Sequence, residues 1–257
     1  MAAVLEARRL VKTFGAVTAA ADLSVSIEEG AVVGLIGGNG AGKTTFINLV
    51  TGYLTPTSGT IHYMGHDITG RAPREVTRLG VCRSFQIPQV FDTLTARENL
   101  LVGTAILARA GARFAGGAEA SAGDAAADEM LQRFRLDAWR DLPASALPEG
   151  VRKLLDIAMA LVVRPRVLLL DEPTSGVSAE DKLALMDLVL GALRAAGLTV
   201  IFVEHDMEIV RRYAGRVLAF YEGRILADGR PEGVLDDPDV RRHVVGGAPP
   251  AAREDAC

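Results

Sequence analysis

A glycine-rich loop between two apolar segments is the feature that most limits what this chain can fold into. The apolar residues 31–36 precede it and the apolar residues 46–50 follow it, which predicts a buried strand, a tight loop and a helix. The loop, called the phosphate loop below, consists of Gly37, Gly38, Asn39, Gly40, Ala41, Gly42, Lys43, Thr44 and Thr45. Glycines let consecutive backbone N–H groups face one anion, and the lysine adds a positive charge for the terminal phosphates. The pattern therefore predicts a nucleotide-binding site.

A pair of carboxylates supports this interpretation. Residues 167–172 are a short apolar run that ends in Asp171 and Glu172, as expected for a buried parallel strand. Ligands of open α/β sheets bind outside the carboxyl ends of the strands. Taken alone, an Asp-Glu pair is more typical of a solvated strand end. Beside a phosphate loop, we expect Asp171 and the Thr44 hydroxyl to hold Mg²⁺ and Glu172 to act as general base.

Composition limits the possible classes of protein. With 257 residues, 49% of them hydrophobic, the chain can form one domain with a subdomain. The net charge is −4 and the basic residues are dispersed, so we expect no nucleic-acid partner. No stretch approaches the roughly 18 apolar residues of a spanning helix. The two cysteines, Cys82 and Cys257, form no disulfide framework, which is typical of a reducing cytosol.

The periodicity of apolar residues divides the chain into three kinds of segment. Alternation over residues 5–36 and 60–67 predicts strands, and helical spacing from 94 to about 160 predicts a helical insert. Within the insert, the Ala- and Gly-rich residues 111–127 predict a mobile loop or a weak helix. Further along we expect a helix over 182–196, a buried strand over 198–203, a β segment over 216–227 and a helix near 231–245.

On these motifs the chain resembles the ATP-binding subunits of ABC transporters over nearly its whole length. The resemblance implies that Phe14 stacks on adenine, that Gln86 contacts Mg²⁺ and the attacking water, and that His205 reaches the γ phosphate. Each of these residues alone would more often be a core aromatic, a surface glutamine or a strand-end histidine. Their order around the phosphate loop reverses those odds, and residues 227–231 resemble the family's C-terminal turn.

The resemblance also implies a fold, an activity and a role for each site residue. The fold is an α/β P-loop NTPase of the ABC ATPase type, with a mixed sheet core, an antiparallel β layer and a helical subdomain at about 90–163. The domain covers residues 4–247, and 248–257 form a disordered tail. The implied activity is ATP hydrolysis with ATP and Mg²⁺. The catalytic residues are Lys43, Glu172 and His205; nucleotide is held by Phe14, Gln86 and the phosphate loop; and the metal is held by Thr44, Gln86 and Asp171.

One motif departs from the family pattern. The family signature, usually Leu-Ser-Gly-Gly-Gln, binds the γ phosphate of nucleotide held by the opposite subunit. Here the signature segment is Leu147, Pro148, Glu149, Gly150 and Val151. Pro148 has neither a hydroxyl nor an N–H, and the negative charge of Glu149 would repel an anion. We therefore expect this chain to hydrolyse ATP with its own residues but to serve its partner's site poorly.

Within the family, residues 83–86, the helical insert and residues 228–231 with 237–240 look most like subunits of branched-chain amino acid importers, whose close relatives carry urea or short amides. The implied partners are a second, different ATP-binding subunit in a head-to-tail dimer, transmembrane permease subunits that contact residues 86–99, and indirectly a periplasmic or extracellular solute-binding protein. The implied location is peripheral, at the cytoplasmic face of the plasma (inner) membrane. A lipid or lipopolysaccharide exporter ATPase and a soluble ABC ATPase without a transporter remain alternatives.

Overall fold

The computed structural model describes residues 3–84, 88–109 and 118–246, with the side chains of 106–109 and 118–122 left aside. The strands are β1 Ala3–Phe14, β2 Val17–Glu28, β3 Val32–Gly37, β4 Ser58–Tyr63, β5 His66–Asp67, β6 Val81–Ser84, β7 Val167–Asp171, β8 Thr199–Val203, β9 Arg216–Tyr221 and β10 Arg224–Gly229. The helices are α1 Lys43–Val50, α2 Pro73–Leu79, α3 Ala96–Arg109, α4 Ala118–Arg133, α5 Glu149–Val162, α6 Ala179–Ala195, α7 Met207–Tyr213, α8 Pro231–Leu235 and α9 Pro238–Val240.

The strands form two sheets. The smaller sheet is antiparallel and has the order β2-β1-β4-β5. The larger sheet has the order β10-β9-β3-β8-β7-β6, in which only β10 runs antiparallel to its neighbour. This confirms the predicted fold class of a mixed sheet with an antiparallel layer.

The larger sheet is covered on both faces, which explains why its central strands are almost entirely apolar. All five residues of β7 and all five of β8 are buried, as expected for parallel strands covered on both sides. One apolar core lies between this sheet and helices α3 to α9, and a second lies between it, α1 and the smaller sheet. The rings of Phe46 and Phe220 contact each other in the second core, with centroids 5.7 Å apart.

The helical insert contains α3, α4 and α5, which pack against one another. Of the segment 111–127, residues from Ala118 onward lie in α4, so the weak helix is the correct alternative there. Residues 110–117 lie outside the described residues. Within the part of the chain that the structure covers, no helix is both long and apolar enough to span a membrane.

Two predicted helices differ from the observed ones. α6 begins at Ala179 rather than at 182, because the Ser178 side chain accepts a hydrogen bond from the backbone N–H of Asp181 and caps the helix earlier. The prediction of a single helix near 231–245 is wrong. Asp237 caps a new start by accepting from the backbone N–H groups of the next turn, so the segment divides into α8, α9 and a π-helical turn over Arg241–Val245.

Candidate functional site

The phosphate loop joins β3 to α1 at the carboxyl edge of the larger sheet. Gly42 has φ 108°, and a Cβ there would lie 2.9 Å from the carbonyl oxygen of Ala19, so only glycine fits. Lys43 begins α1, and its ammonium donates hydrogen bonds to the carbonyl oxygens of Gly37 at 2.5 Å and Gly38 at 3.1 Å. The Lys43 side chain thus folds back over the phosphate loop and contacts its backbone.

The two carboxylates of the predicted site lie close enough to influence this lysine. Burial lowers the pKa of Lys43, and the negative charges of Glu172 and Asp171 oppose that shift. The structure therefore places Lys43, Asp171 and Glu172 around one point. This arrangement follows from the sheet, because β3 and β7 are both paired with β8.

Asp171 ends β7 and forms a buried ion pair that the sequence did not suggest. Nη2 of Arg83 donates to Oδ2 of Asp171 at 2.5 Å, and each side chain is only 9% exposed. Nη1 of Arg83 donates to Oδ1 of Asn48, on α1, at 2.6 Å. Arg83 lies 88 residues before Asp171 in the chain, so no local pattern could have indicated this contact.

Glu172 and His205 contact each other. Nε2 of His205 lies 3.0 Å from Oε1 of Glu172. Glu172 has φ 49°, a left-handed conformation that costs a non-glycine residue about 1–3 kcal/mol and persists only where its surroundings hold it. Its N–H donates to the carbonyl oxygen of Val203, and its own carbonyl oxygen accepts from the N–H of Ser175, both at 3.1 Å.

Two further buried charges, which sequence analysis missed, hold the segment after Glu172. The ammonium of Lys153, on α5, donates to the carbonyl oxygens of Glu172, at 3.1 Å, and of Ser175. From the end of β8, Oε1 of Glu204 accepts the N–H of Thr174 at 3.1 Å and its hydroxyl at 2.7 Å. Burial lowers the pKa of Lys153 and raises the pKa of Glu204. The backbone of residues 172–175 is therefore fixed from two sides.

The remaining predicted nucleotide residues lie at the surface or outside the described chain. Phe14, at the end of β1, is 49% exposed, and the ammonium of Lys12 lies 5.1 Å from the centroid of its ring. An exposed aromatic ring of this kind is available for stacking by a base. Thr44 is exposed and Thr45 is half-buried. Gln86 lies outside the described residues.

The signature segment begins α5, with Pro148 at the N-cap and Glu149 at the first helical position. The Glu149 carboxylate is turned back toward the chain and occupies the space that a Cβ at Gly176 would need. Its negative charge also opposes the lowered pKa of Lys153. The negative charge that we expected to repel a partner's phosphate is therefore partly compensated within this subunit.

The donors near the phosphate loop fit Mg²⁺. This cation prefers a few oxygen ligands and shares its coordination with nucleotide phosphates and water. The carboxylate of Asp171 and the hydroxyl of Thr44 supply oxygens of this kind, one at the end of β7 and one in the first turn of α1.

Comparison with known sequences agrees with the family resemblance of the motifs. The family model for ABC transporters matches residues 20–175. The chain is 35% identical over 254 residues to the high-affinity branched-chain amino acid transport ATP-binding protein BraF of Pseudomonas aeruginosa, covering 95% of this chain and 98% of BraF. It is 33% identical over 242 residues to the probable branched-chain amino acid transport ATP-binding protein LivG of Archaeoglobus fulgidus, covering 92% and 93%.

Solved structures are similar over the same length. MJ1267, an ATP-binding cassette of an ABC transporter, superimposes with a TM-score of 0.83 at 32% identity, covering 94% of this chain and 98% of that one. The ADP conformation of MJ1267 gives a TM-score of 0.80 at 30% identity with the same coverage. The similarity therefore includes both sheets and the helical insert.

Proposed function

This chain belongs to the ABC transporter family as an ATP-binding and ATP-hydrolysing subunit, and we propose that it energises an importer of branched-chain amino acids or related small solutes. The observation that carries the proposal is the convergence of Lys43, Asp171 and Glu172 at one sheet edge, in a chain similar over nearly its full length to BraF and LivG.

We assign each residue of the site a separate task. Lys43 and the backbone N–H groups of the phosphate loop bind and orient the β and γ phosphates. Glu172 accepts the proton of the attacking water, and His205, already 3.0 Å from its carboxylate, holds that carboxylate and contacts the γ phosphate. Phe14 offers its exposed ring to adenine.

Mg²⁺ would be held by Thr44, Asp171 and Gln86. When bound, the ion neutralises phosphate charge and makes the γ phosphate a better electrophile. Two observations support this role: Asp171 is buried, and its negative charge opposes the lowering by burial of the pKa of Lys43 in the phosphate loop.

We further propose that the working complex contains two ATP-binding subunits head to tail, with permease subunits in the plasma (inner) membrane and a solute-binding protein outside it. The second subunit would be a different chain, because Pro148 and Glu149 replace the groups that bind the partner's γ phosphate. The compensation of Glu149 by Lys153 makes impairment of the partner's site, rather than its loss, the expected result. Placing the general-base substitution Glu→Gln in one subunit at a time tests this: the change at Glu172 should remove most ATPase activity, and equal losses from both changes would contradict it.

Transport decides between the proposed function and its rivals. The chain would be coexpressed with candidate permease subunits, purified in detergent and reconstituted into proteoliposomes with a candidate solute-binding protein. We expect ATP-dependent uptake of labelled leucine, isoleucine or valine, abolished by Lys43→Ala in this subunit. Uptake of urea but of none of these amino acids would contradict the proposed solute. Export of lipid would contradict the proposed direction of transport. Copurification with ribosomes instead of permeases would refute a transport role.

A further inference from the structure

Arg83 contacts two elements of the nucleotide site with the two arms of its guanidinium group. One arm donates to Oδ2 of Asp171 at 2.5 Å, and the other donates to Oδ1 of Asn48 at 2.6 Å. The side chains of Arg83 and Asp171 are each 9% exposed, so water and salt weaken this ion pair little. The contacts join β6, on which Arg83 lies, to the end of β7 and to α1.

Asn48 lies four residues after Thr44 on α1. Residues four apart occupy the same helix face one turn from each other. The two arms of Arg83 therefore contact Asp171 itself and the helix turn next to Thr44, which are the two ligands within the described structure that we propose for Mg²⁺. A planar guanidinium holds two acceptors at a fixed separation, whereas a lysine ammonium is a point charge on a flexible stem.

The pairing leaves one oxygen of Asp171 for a cation. Arg83 hydrogen-bonds Oδ2, and no group among the described residues hydrogen-bonds Oδ1. Carboxylates that bind metals are commonly oriented by such a second contact, and its removal typically costs about 10–100-fold in metal affinity.

We propose that Arg83 is a positioning residue of the metal site, which orients Asp171 and keeps it in register with the helix that carries Thr44. The inference rests on the proposed function, in which Asp171 and Thr44 bind Mg²⁺. A guanidinium that only competed with the cation for Asp171 would have the opposite effect, because its removal would tighten metal binding.

The test measures metal affinity directly, without turnover. Mn²⁺ replaces Mg²⁺ as the probe, and its electron paramagnetic resonance signal reports the free ion in the presence of saturating AMP-PNP. Arg83→Lys keeps the charge but loses the fork, and we expect Mn²⁺ affinity to fall about 10–100-fold. Asn48→Ala removes only the α1 contact, and we expect a smaller fall. The affinity for AMP-PNP in EDTA should stay unchanged in both variants.

Two controls separate this inference from the proposed function. Arg166→Lys alters an exposed arginine that pairs with Glu29 at the opposite end of β7, and Mn²⁺ affinity should remain at the wild-type value. Asp171→Asn tests the metal site itself: wild-type affinity in that variant would refute the proposed metal role.

A normal loss in Asp171→Asn together with wild-type or tighter Mn²⁺ binding in Arg83→Lys would overturn the positioning role alone. An equal loss of AMP-PNP affinity in EDTA would also overturn it, because the phosphate loop would then be the part disturbed. If Arg83→Lys does not fold, Asn48→Ala leaves the buried ion pair in place, and wild-type Mn²⁺ affinity in that variant overturns the proposal.

Discussion

Lys153→Met is the most informative single change outside the residues that contact nucleotide. Methionine matches the length of the lysine stem but donates no hydrogen bond, so the carbonyl oxygens of Glu172 and Ser175 lose their buried donor. The Glu172 oxygen still accepts from the N–H of Ser175, whereas the Ser175 oxygen loses its donor. A buried acceptor left without a partner costs about 1–3 kcal/mol. Removing a buried ammonium, whose pKa burial lowers, offsets part of this cost. We expect the free energy of unfolding to fall by about 1–2 kcal/mol.

The same change should slow hydrolysis, because the left-handed backbone at Glu172 depends on its surroundings. If misplacement of Glu172 raises the activation free energy by about 1.4–2.8 kcal/mol, kcat falls roughly 10–100-fold. Urea unfolding measures the stability, and steady-state ATPase at saturating ATP measures kcat. Lys153→Arg, which retains donors, should recover most of the activity.

Arg152→Met is the matched control for Lys153→Met. Arg152 lies next to Lys153 on α5 and pairs with Asp92 at 2.6 Å, away from the catalytic segment. Its loss should change kcat by less than about twofold, in keeping with the small contribution of exposed ion pairs. Wild-type kcat in a folded Lys153→Met protein would refute the positioning of Glu172 by this ammonium.

Two other changes test separate parts of the site. Phe14→Ala should weaken ATP binding by about 1–3 kcal/mol, by analogy with base stacking on aromatic side chains, while single-turnover hydrolysis at saturation stays nearly unchanged; tight binding in a titration would count against stacking. In the wild-type protein, ionisation of Glu204 should lower the free energy of unfolding as pH rises, and Glu204→Gln should abolish this pH dependence. Because burial raises the pKa of Glu204, the folded state holds that proton more tightly, so stability falls as pH rises from the unfolded pKa of about 4.3 through the folded one. Urea unfolding of both proteins between pH 4 and 8 should show a difference that grows with pH, and parallel curves would exclude the effect.

The parts of the fold that the sequence predicts are those with strong local signals. The phosphate loop combines glycines, a lysine and apolar flanks, and β7 and β8 each contain four consecutive apolar residues. By contrast, β6 has four residues, two of them Arg83 and Ser84, and exists because it pairs with β7 far along the chain. A short strand defined by such pairing carries no period that a sequence pattern can reveal.

Local capping chemistry accounts for the errors at helix boundaries. Ser178 followed by Asp181 is a capping pattern that could have extended α6 to residue 179. Asp237 before Pro238 likewise signals a new helix start, since proline is well suited to the first helical position. The contacts of Lys153, Glu204 and Arg83 could not have been found in this way, because each joins elements that are distant in the sequence.

The central claim is that this chain hydrolyses ATP with Glu172 as general base, and Glu172→Gln tests it most directly. Glutamine has the same shape but cannot accept the proton of the attacking water. Binding of ATP, measured by titration, and hydrolysis, measured in a single turnover at saturating Mg²⁺ and ATP, should separate. The account predicts wild-type ATP affinity with hydrolysis slowed by about 10²–10⁴. Hydrolysis near the wild-type rate in this variant would contradict it.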